Sequence, residues 1–167
     1  MQDVRFRACT YSDIGPVQQL VQELYNTDPI VEGLKPSIGN SFAEFMKRPD
    51  KGKVVVFEYN QQVVGYAIIV FVWNNQFASD LLSIDEMVVN ERYRSLGIGK
   101  KFFSWLQQTY TTLPALFLLV SEYNPRAKKF YEEIGFKPLQ LQMLKINVIL
   151  EEELSTNIRN KEFVEAA

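Results

Sequence analysis

Ile84-Asp85-Glu86-Met87-Val88-Val89-Asn90-Glu91-Arg92-Tyr93-Arg94-Ser95-Leu96-Gly97-Ile98-Gly99-Lys100-Lys101 is the stretch that decides how this chain folds. An apolar strand ends, a basic turn follows, and two glycines open a helix whose face carries Ile98, Phe102, Trp105 and Leu106. Glycine lets a ligand come close to the backbone. The first N–H groups of a helix have no intrahelical partners and lie at the positive end of its dipole. Arg92, Arg94, Lys100 and Lys101 add cationic charge around the same turn. Such a turn suits an anion, and a pyrophosphate is its natural occupant. The plainer alternative is a helix start with capping glycines and solvated basic residues. Two familiar phosphate loops do not fit: Lys101 stands where the Walker pattern needs Ser or Thr, and Phe102 stands where the dinucleotide fingerprint needs a third glycine.

Working outward from this stretch, residues 4–9 alternate as a first strand, and Thr10-Tyr11-Ser12-Asp13 offers N-cap residues. Ile14, Val17, Leu20, Val21 and Leu24 then recur at helical spacing to about residue 26. Residues 27–39 hold two prolines and two glycines and read as a loop. Phe42, Phe45 and Met46 mark a short helix stopped by Pro49. Residues 53–59 and 62–73 are rich in β-branched and aromatic residues and read as strands joined at Asn60-Gln61. Further strands are expected at 81–89 and 115–120, helices at 97–110 and 125–134, renewed extended structure from Phe136, and a last strand over 144–150. Beyond 150 the chain turns polar and acidic. The order β-α-α-β-β-β-α-β-α-β describes a mixed α/β sheet with helices on its faces, not regular βαβ units. With 167 residues, one domain over 1–150 and a polar tail over 151–167 are expected.

The chain has no histidine and one cysteine, Cys9. Ser-His-Asp and Cys-His sites, His-ligated zinc and an intrachain disulfide are therefore excluded, and no metal is expected. Acid–base work falls to carboxylates, tyrosine, lysine or water. Cys9 reads as a buried strand residue. A net charge of −2 supplies no basic field for nucleic acid. The longest apolar run, 67–73, is far short of the roughly 20 residues of a membrane span, and the first residues do not form a secretory signal. The expectation is a cytoplasmic protein with neither nucleic acid nor membrane as partner.

A second motif lies downstream: Asn124-Pro125-Arg126-Ala127-Lys128-Lys129-Phe130-Tyr131-Glu132-Glu133-Ile134-Gly135-Phe136. Together with Arg94-Ser95-Leu96-Gly97-Ile98-Gly99 it resembles the GNAT family of N-acetyltransferases, whose hallmarks are Arg/Gln-x-x-Gly-x-Gly/Ala and Asn-x-x-A-x-x-(F/L)-Y-x-x-x-G-F. Glu86-Met87-Val88-Val89 resembles that family's fourth strand. The resemblance covers about residues 3–150. It implies a single domain with a mixed, mostly antiparallel twisted sheet flanked by helices.

The resemblance also implies acetyl-CoA as cosubstrate. Its pantetheine arm would pair with the strand backbone at Met87 and Val89, and its pyrophosphate would take the N–H groups of Arg94, Ser95, Leu96, Gly97, Ile98, Gly99 and Lys100. The backbone near Val88 is the family's usual oxyanion donor. Asn124 is either a complete N-cap, framed by Pro125 and Gly135, or also a pantetheine contact. Tyr131 is either helix-face core or, as in the family, the acid that protonates the departing thiolate. Asp85 and Glu86 are each candidates for base, substrate anchor or structural carboxylate, and strand alternation points them to opposite faces.

The implied reaction is direct attack of a primary amine on the acetyl carbonyl in a ternary complex. Phe71, Trp73, Phe77, Asp85, Glu86 and the 27–39 loop are expected to line the acceptor cleft, a pattern that vaguely resembles diamine acetyltransferases. A small, cationic small-molecule amine is the expected acceptor. Aminoglycosides, amino acids, a protein N-terminus or lysine, and a non-catalytic acyl-CoA-binding sensor are the alternatives. The family's frequent dimers leave a homodimer open.

Overall fold

The computed structural model describes residues 4–27, 36–121 and 123–139. Up to residue 134 it forms one compact unit, an open five-stranded mixed sheet with four helices. The strands are β1 (Val4–Ala8), β2 (Gly52–Tyr59), β3 (Gln62–Asn74), β4 (Ser79–Val89) and β5 (Leu116–Leu118). The helices are α1 (Ile14–Thr27), α2 (Ile38–Lys47), α3 (Ile98–Thr109) and α4 (Pro125–Glu133). Strands β1 to β4 form an antiparallel meander, and β5 adds to β4 in parallel. Gly135 to Leu139 contain no regular element. The expected strand over 144–150, the polar tail and most of the 27–39 loop lie outside the described residues. No helix among the described residues is long and apolar enough to cross a membrane.

The two sheet faces bury different cores. On one face Val17, Leu20 and Val21 of α1 and Ile38 and Phe42 of α2 pack on Val54, Val56, Tyr66, Ile68 and Val88. Under α3 the core is aromatic. Phe57 and Phe102 have ring centroids 4.5 Å apart, with Phe6 5.2 Å from Phe57 and 5.7 Å from Trp105. Aromatic pairs at such separations add to the stabilisation that burial provides. Cys9 is buried, and desolvation pushes its thiol up to about 11, which favours the thiol over the thiolate at neutral pH.

Most element limits follow the sequence pattern, and the departures have physical causes. Helix α2 begins at Ile38, so the loop expected to reach residue 39 is shorter. Gln18 of α1 explains this: its Oε1 accepts from the Ile38 N–H at 3.0 Å, and its Nε2 donates to the Pro36 carbonyl at 3.1 Å. A long-range side chain thus serves the helix start that local sequence does not mark. The Asn60-Gln61 turn closes with both residues at positive φ, as a two-residue hairpin requires. Strand β5 is half its expected length, because its register with β4 ends at Ile84↔Leu118.

The corner between β1 and α1 is fixed by charge. Asp13, 5% exposed, receives both terminal nitrogens of Arg7 at 2.7 and 2.9 Å. It also accepts from the Thr10 N–H at 2.8 Å and the Thr10 hydroxyl at 2.6 Å. Arg7 Nε reaches Glu58 of β2 at 2.9 Å. The Arg7 guanidinium, aided by Thr10, lowers the Asp13 carboxyl from 3.8 to about 2. That depression corresponds to about 2 kcal/mol of stability. The contribution is complete above about pH 4 and is lost as the pH falls through about 2. Asp13→Asn should cost about 2–4 kcal/mol at neutral pH, since it leaves Arg7 half-paired. Chemical denaturation at pH 7 and pH 3 checks this: the mutant should lose less stability on acidification than the parent.

Candidate active site

Strand β4 contains one extra residue. Its register with β3 runs Ile69↔Ile84 and then Ile68↔Glu86, so Asp85 is unmatched and forms a β-bulge. The bulge changes which backbone groups face each neighbour. Before it, the Leu82 N–H donates to Ala115 at 3.2 Å, toward the β5 side. After it, the Asn90 N–H donates to Val64 on the β3 side at 2.8 Å. Antiparallel pairs alternate, so Val88, opposite Tyr66, also bonds toward β3. Met87 and Val89 therefore turn their N–H and C=O groups toward the other edge. There β5 ceases to pair after Leu118, and among the described residues no strand pairs with β4 beyond that point.

Val88, expected beside Met87 and Val89 as a backbone contact and oxyanion donor, is turned the other way. Its backbone belongs to the β3 ladder and its side chain is buried in the core under α1. The outward N–H groups are those of Met87 and Val89.

The edge leads into the basic turn. Ser95 and Gly97 both adopt positive φ, +70° and +74°. A Cβ on Gly97 would meet nothing within 4 Å, so its surroundings are open. The first bond of α3 runs from the Lys101 N–H to the Gly97 carbonyl at 3.0 Å, leaving the N–H groups of Ile98, Gly99 and Lys100 without intrahelical acceptors. Arg92, Arg94, Ser95, Leu96 and Lys100 are exposed around them. Arg94 uses its Nε to donate to the Val89 carbonyl at 3.0 Å, which fastens the turn to the end of β4. Gly99 serves a different end: a Cβ there would come within 2.8 Å of the Phe130 ring of α4, which would have to shift. The two sequence motifs thus meet where α3 begins.

On α4, Asn124 accepts from the Ala127 N–H at 3.0 Å through Oδ1, so the capping function is filled. Tyr131 is half-buried, with its ring edge-on to Phe103 of α3 at 6.0 Å. Desolvation raises its phenol above the ordinary value, which keeps it protonated at neutral pH.

Glu86 lies on the α1 side. Glu86 accepts from the Tyr25 hydroxyl at Oε1 and from the Tyr66 hydroxyl at Oε2, both at 2.7 Å. The bulge removes the regular alternation on which the expectation of opposite faces for Asp85 and Glu86 rests. Glu86 engages both phenols, whereas Asp85, the unmatched residue, is exposed. Those phenols are raised chiefly by burial. Asp85 is also raised by desolvation.

Trp73 and Phe77 do not join this group. They are exposed at the far end of the β3–β4 hairpin, where Trp73 pairs with Asp80. At about 3.3 Å per residue that end is about 17 Å from Asp85. Phe71 packs against Tyr110 at 5.6 Å. Sequence reasoning missed Tyr25 and Tyr66. The available signal was a hydroxyl on an apolar face, Tyr66 between Val64 and Ile68, since a buried hydroxyl must find a partner.

The profile of the acetyltransferase (GNAT) family matches residues 18–136. A search of curated proteins gave no match. Among solved structures, a possible acetyltransferase from Clostridium difficile 630 superposes with TM-score 0.74 at 20% identity, covering 88% of this chain and 99% of the other. The aminoglycoside N-acetyltransferase AAC(6')-Iy in complex with CoA gives 0.69 at 13% identity, over 89% and 97%. An aminoglycoside acetyltransferase from an uncultured soil metagenomic sample, in complex with sisomicin, gives 0.65 at 16%, again over 89% and 97%.

The two glycines of the turn should respond differently to substitution. Gly97→Glu places bulk and negative charge in open space beside the free N–H groups. It should abolish coenzyme A binding in calorimetry while costing only about 1 kcal/mol for the left-handed backbone. Gly99→Ala should lower the thermal midpoint through Phe130. Full coenzyme A affinity in a folded Gly97→Glu protein would place the anion elsewhere.

Proposed function

The chain belongs to the acetyltransferase (GNAT) family, and from that premise we propose that it moves the acetyl group of acetyl-CoA to a primary amine of a small, cationic acceptor by direct attack in a ternary complex. One observation carries this reading: a β4 edge at Met87 and Val89, with no strand partner among the described residues, runs straight into a basic turn with open helix N–H groups. An arm with amide groups suits the edge, and a diphosphate suits the turn. Thioester, edge and carboxylates would then share one stretch of β4.

The chemistry assigned to this chain's residues is simple. A strand carboxylate removes a proton from the acceptor's ammonium group, directly or through water. The freed nitrogen forms a bond to the acetyl carbon while an outward N–H of β4 stabilises the carbonyl oxygen. The carbon–sulfur bond breaks, Tyr131 gives its proton to the sulfur, and it recovers the proton that the attacking nitrogen loses. Asn124 remains a cap whose amide nitrogen is available to the arm.

A cationic acceptor is favoured by the adjacent carboxylates Asp85 and Glu86 and by the net charge of −2. Aminoglycosides are polycationic amines, and sisomicin, bound in one of the related folds, is a sensible member of an acceptor panel.

An acceptor screen with detection of free thiol tests the reading, and thiol release with a cationic amine is the expected result. Retention of coenzyme A without thiol release from any amine would make the protein a binding module. Tyr131→Phe should slow turnover by about 10–10²-fold, part of the usual general-acid contribution, with donor affinity nearly unchanged. Wild-type turnover in that variant would return Tyr131 to a packing role.

A further inference from the structure

Tyr25 and Tyr66 come from different elements and converge on one side chain. Tyr25 lies near the end of α1 and Tyr66 is fully buried in β3, and each donates to a different oxygen of Glu86 at 2.7 Å. A carboxylate offers about four lone-pair positions over its two oxygens, so two remain for a further donor. The two hydroxyls hold the Glu86 carboxylate in place and leave those two positions for N–H donors of the acceptor. The carboxylate's orientation is fixed before any ligand arrives, which lowers the entropic cost of using it as an anchor.

Asp85 is arranged differently. It is the extra residue of the bulge and is exposed, and among the described residues no hydrogen bond or ion pair engages its carboxylate. Its proton affinity is raised by desolvation. Among the described residues, its charge acts on Tyr25 from α1 and Tyr66 from β3, with Glu86 next to it on β4, and both phenols remain neutral at ordinary pH.

We propose, on the footing of the acetyl-transfer reading above, that Tyr25 and Tyr66 are positioning residues that hold Glu86 as a fixed anchor for the acceptor's ammonium group and leave Asp85 to take its proton. The ammonium nitrogen gives one proton to an Asp85 oxygen, which releases it to water. The freed lone pair then forms the nitrogen–carbon bond, and the thiolate is protonated as described. No other reactant is needed.

The test uses Asp85→Asn, Glu86→Gln, Tyr25→Phe and Tyr66→Phe in the full chain. Thiol release is followed across pH with sisomicin and a series of linear alkyl diamines, and amine binding to the coenzyme A-loaded protein is measured by calorimetry. Asp85→Asn should lower kcat by about 10²-fold or more and remove the acidic limb of the pH profile, with amine affinity within about threefold of wild type. Glu86→Gln, Tyr25→Phe and Tyr66→Phe should each raise the acceptor KM by about tenfold, change kcat less and keep the acidic limb. Tyr25→Phe should add little in the Glu86→Gln background, because the two act as a unit.

Loss of the acidic limb in Glu86→Gln with its retention in Asp85→Asn would overturn the proposal. So would a wild-type KM in both tyrosine variants. Should Tyr66→Phe fail to fold, Tyr25→Phe carries the same test from a less buried position. A wild type that binds amines yet releases no thiol would defeat the transfer reading alone. The anchor is then read by calorimetry: about tenfold weaker amine binding in Glu86→Gln supports it, and unchanged binding overturns it.

Discussion

A single unmatched residue in β4 governs the arrangement of the site. Without Asp85 as a bulge, Ile84 and Glu86 would share a face, because strand side chains repeat every two residues. With it, Ile84 pairs with Ile69 and Glu86 with Ile68, on opposite faces. The same insertion reverses the backbone. Leu82 bonds toward β5 before the bulge, whereas after it the outward groups are those of Met87 and Val89. It also coincides with the end of the β5 ladder. One local irregularity therefore delivers a carboxylate to the α1 side and, on the β5 side, an edge without a strand partner among the described residues, next to a turn with open helix N–H groups.

The surroundings hold that irregularity in place. Tyr25 and Tyr66 engage Glu86 from α1 and β3, so the carboxylate is tied to two separate elements. At the other end of the edge, Arg94 bonds the Val89 carbonyl, and Gly99 admits the Phe130 ring. The turn is thereby joined to β4 on one side and to α4 on the other. The Arg7–Asp13–Glu58 network fixes the corner from which α1, and hence Tyr25, departs.

Much of this was legible in the sequence because it rests on local pattern. The helical spacing of Ile98, Phe102 and Leu106 marks α3, and all three are buried. Asn124, Pro125 and Gly135 frame α4 and take the conformations that such a frame needs. What escaped depends on partners distant in sequence. The bulge exists only relative to β3, so alternation read along β4 alone could not reveal it. The start of α2 depends on Gln18, twenty residues earlier, and the Glu86 clamp joins residues 61 and 20 positions apart. The aromatics Trp73 and Phe77 looked like cleft residues by composition, but the length of the β3–β4 hairpin carries them to its far end.

Residue-resolved amide hydrogen exchange along β4, with and without coenzyme A, tests the central claim most directly. The Val88 amide, held in the β3 ladder, should be protected in both states. The Met87 and Val89 amides should exchange rapidly in the free protein and become protected when coenzyme A is bound. Protection of Met87 and Val89 in the free protein, with Val88 responding to the ligand instead, would contradict the reversal at Asp85 and the site built on it.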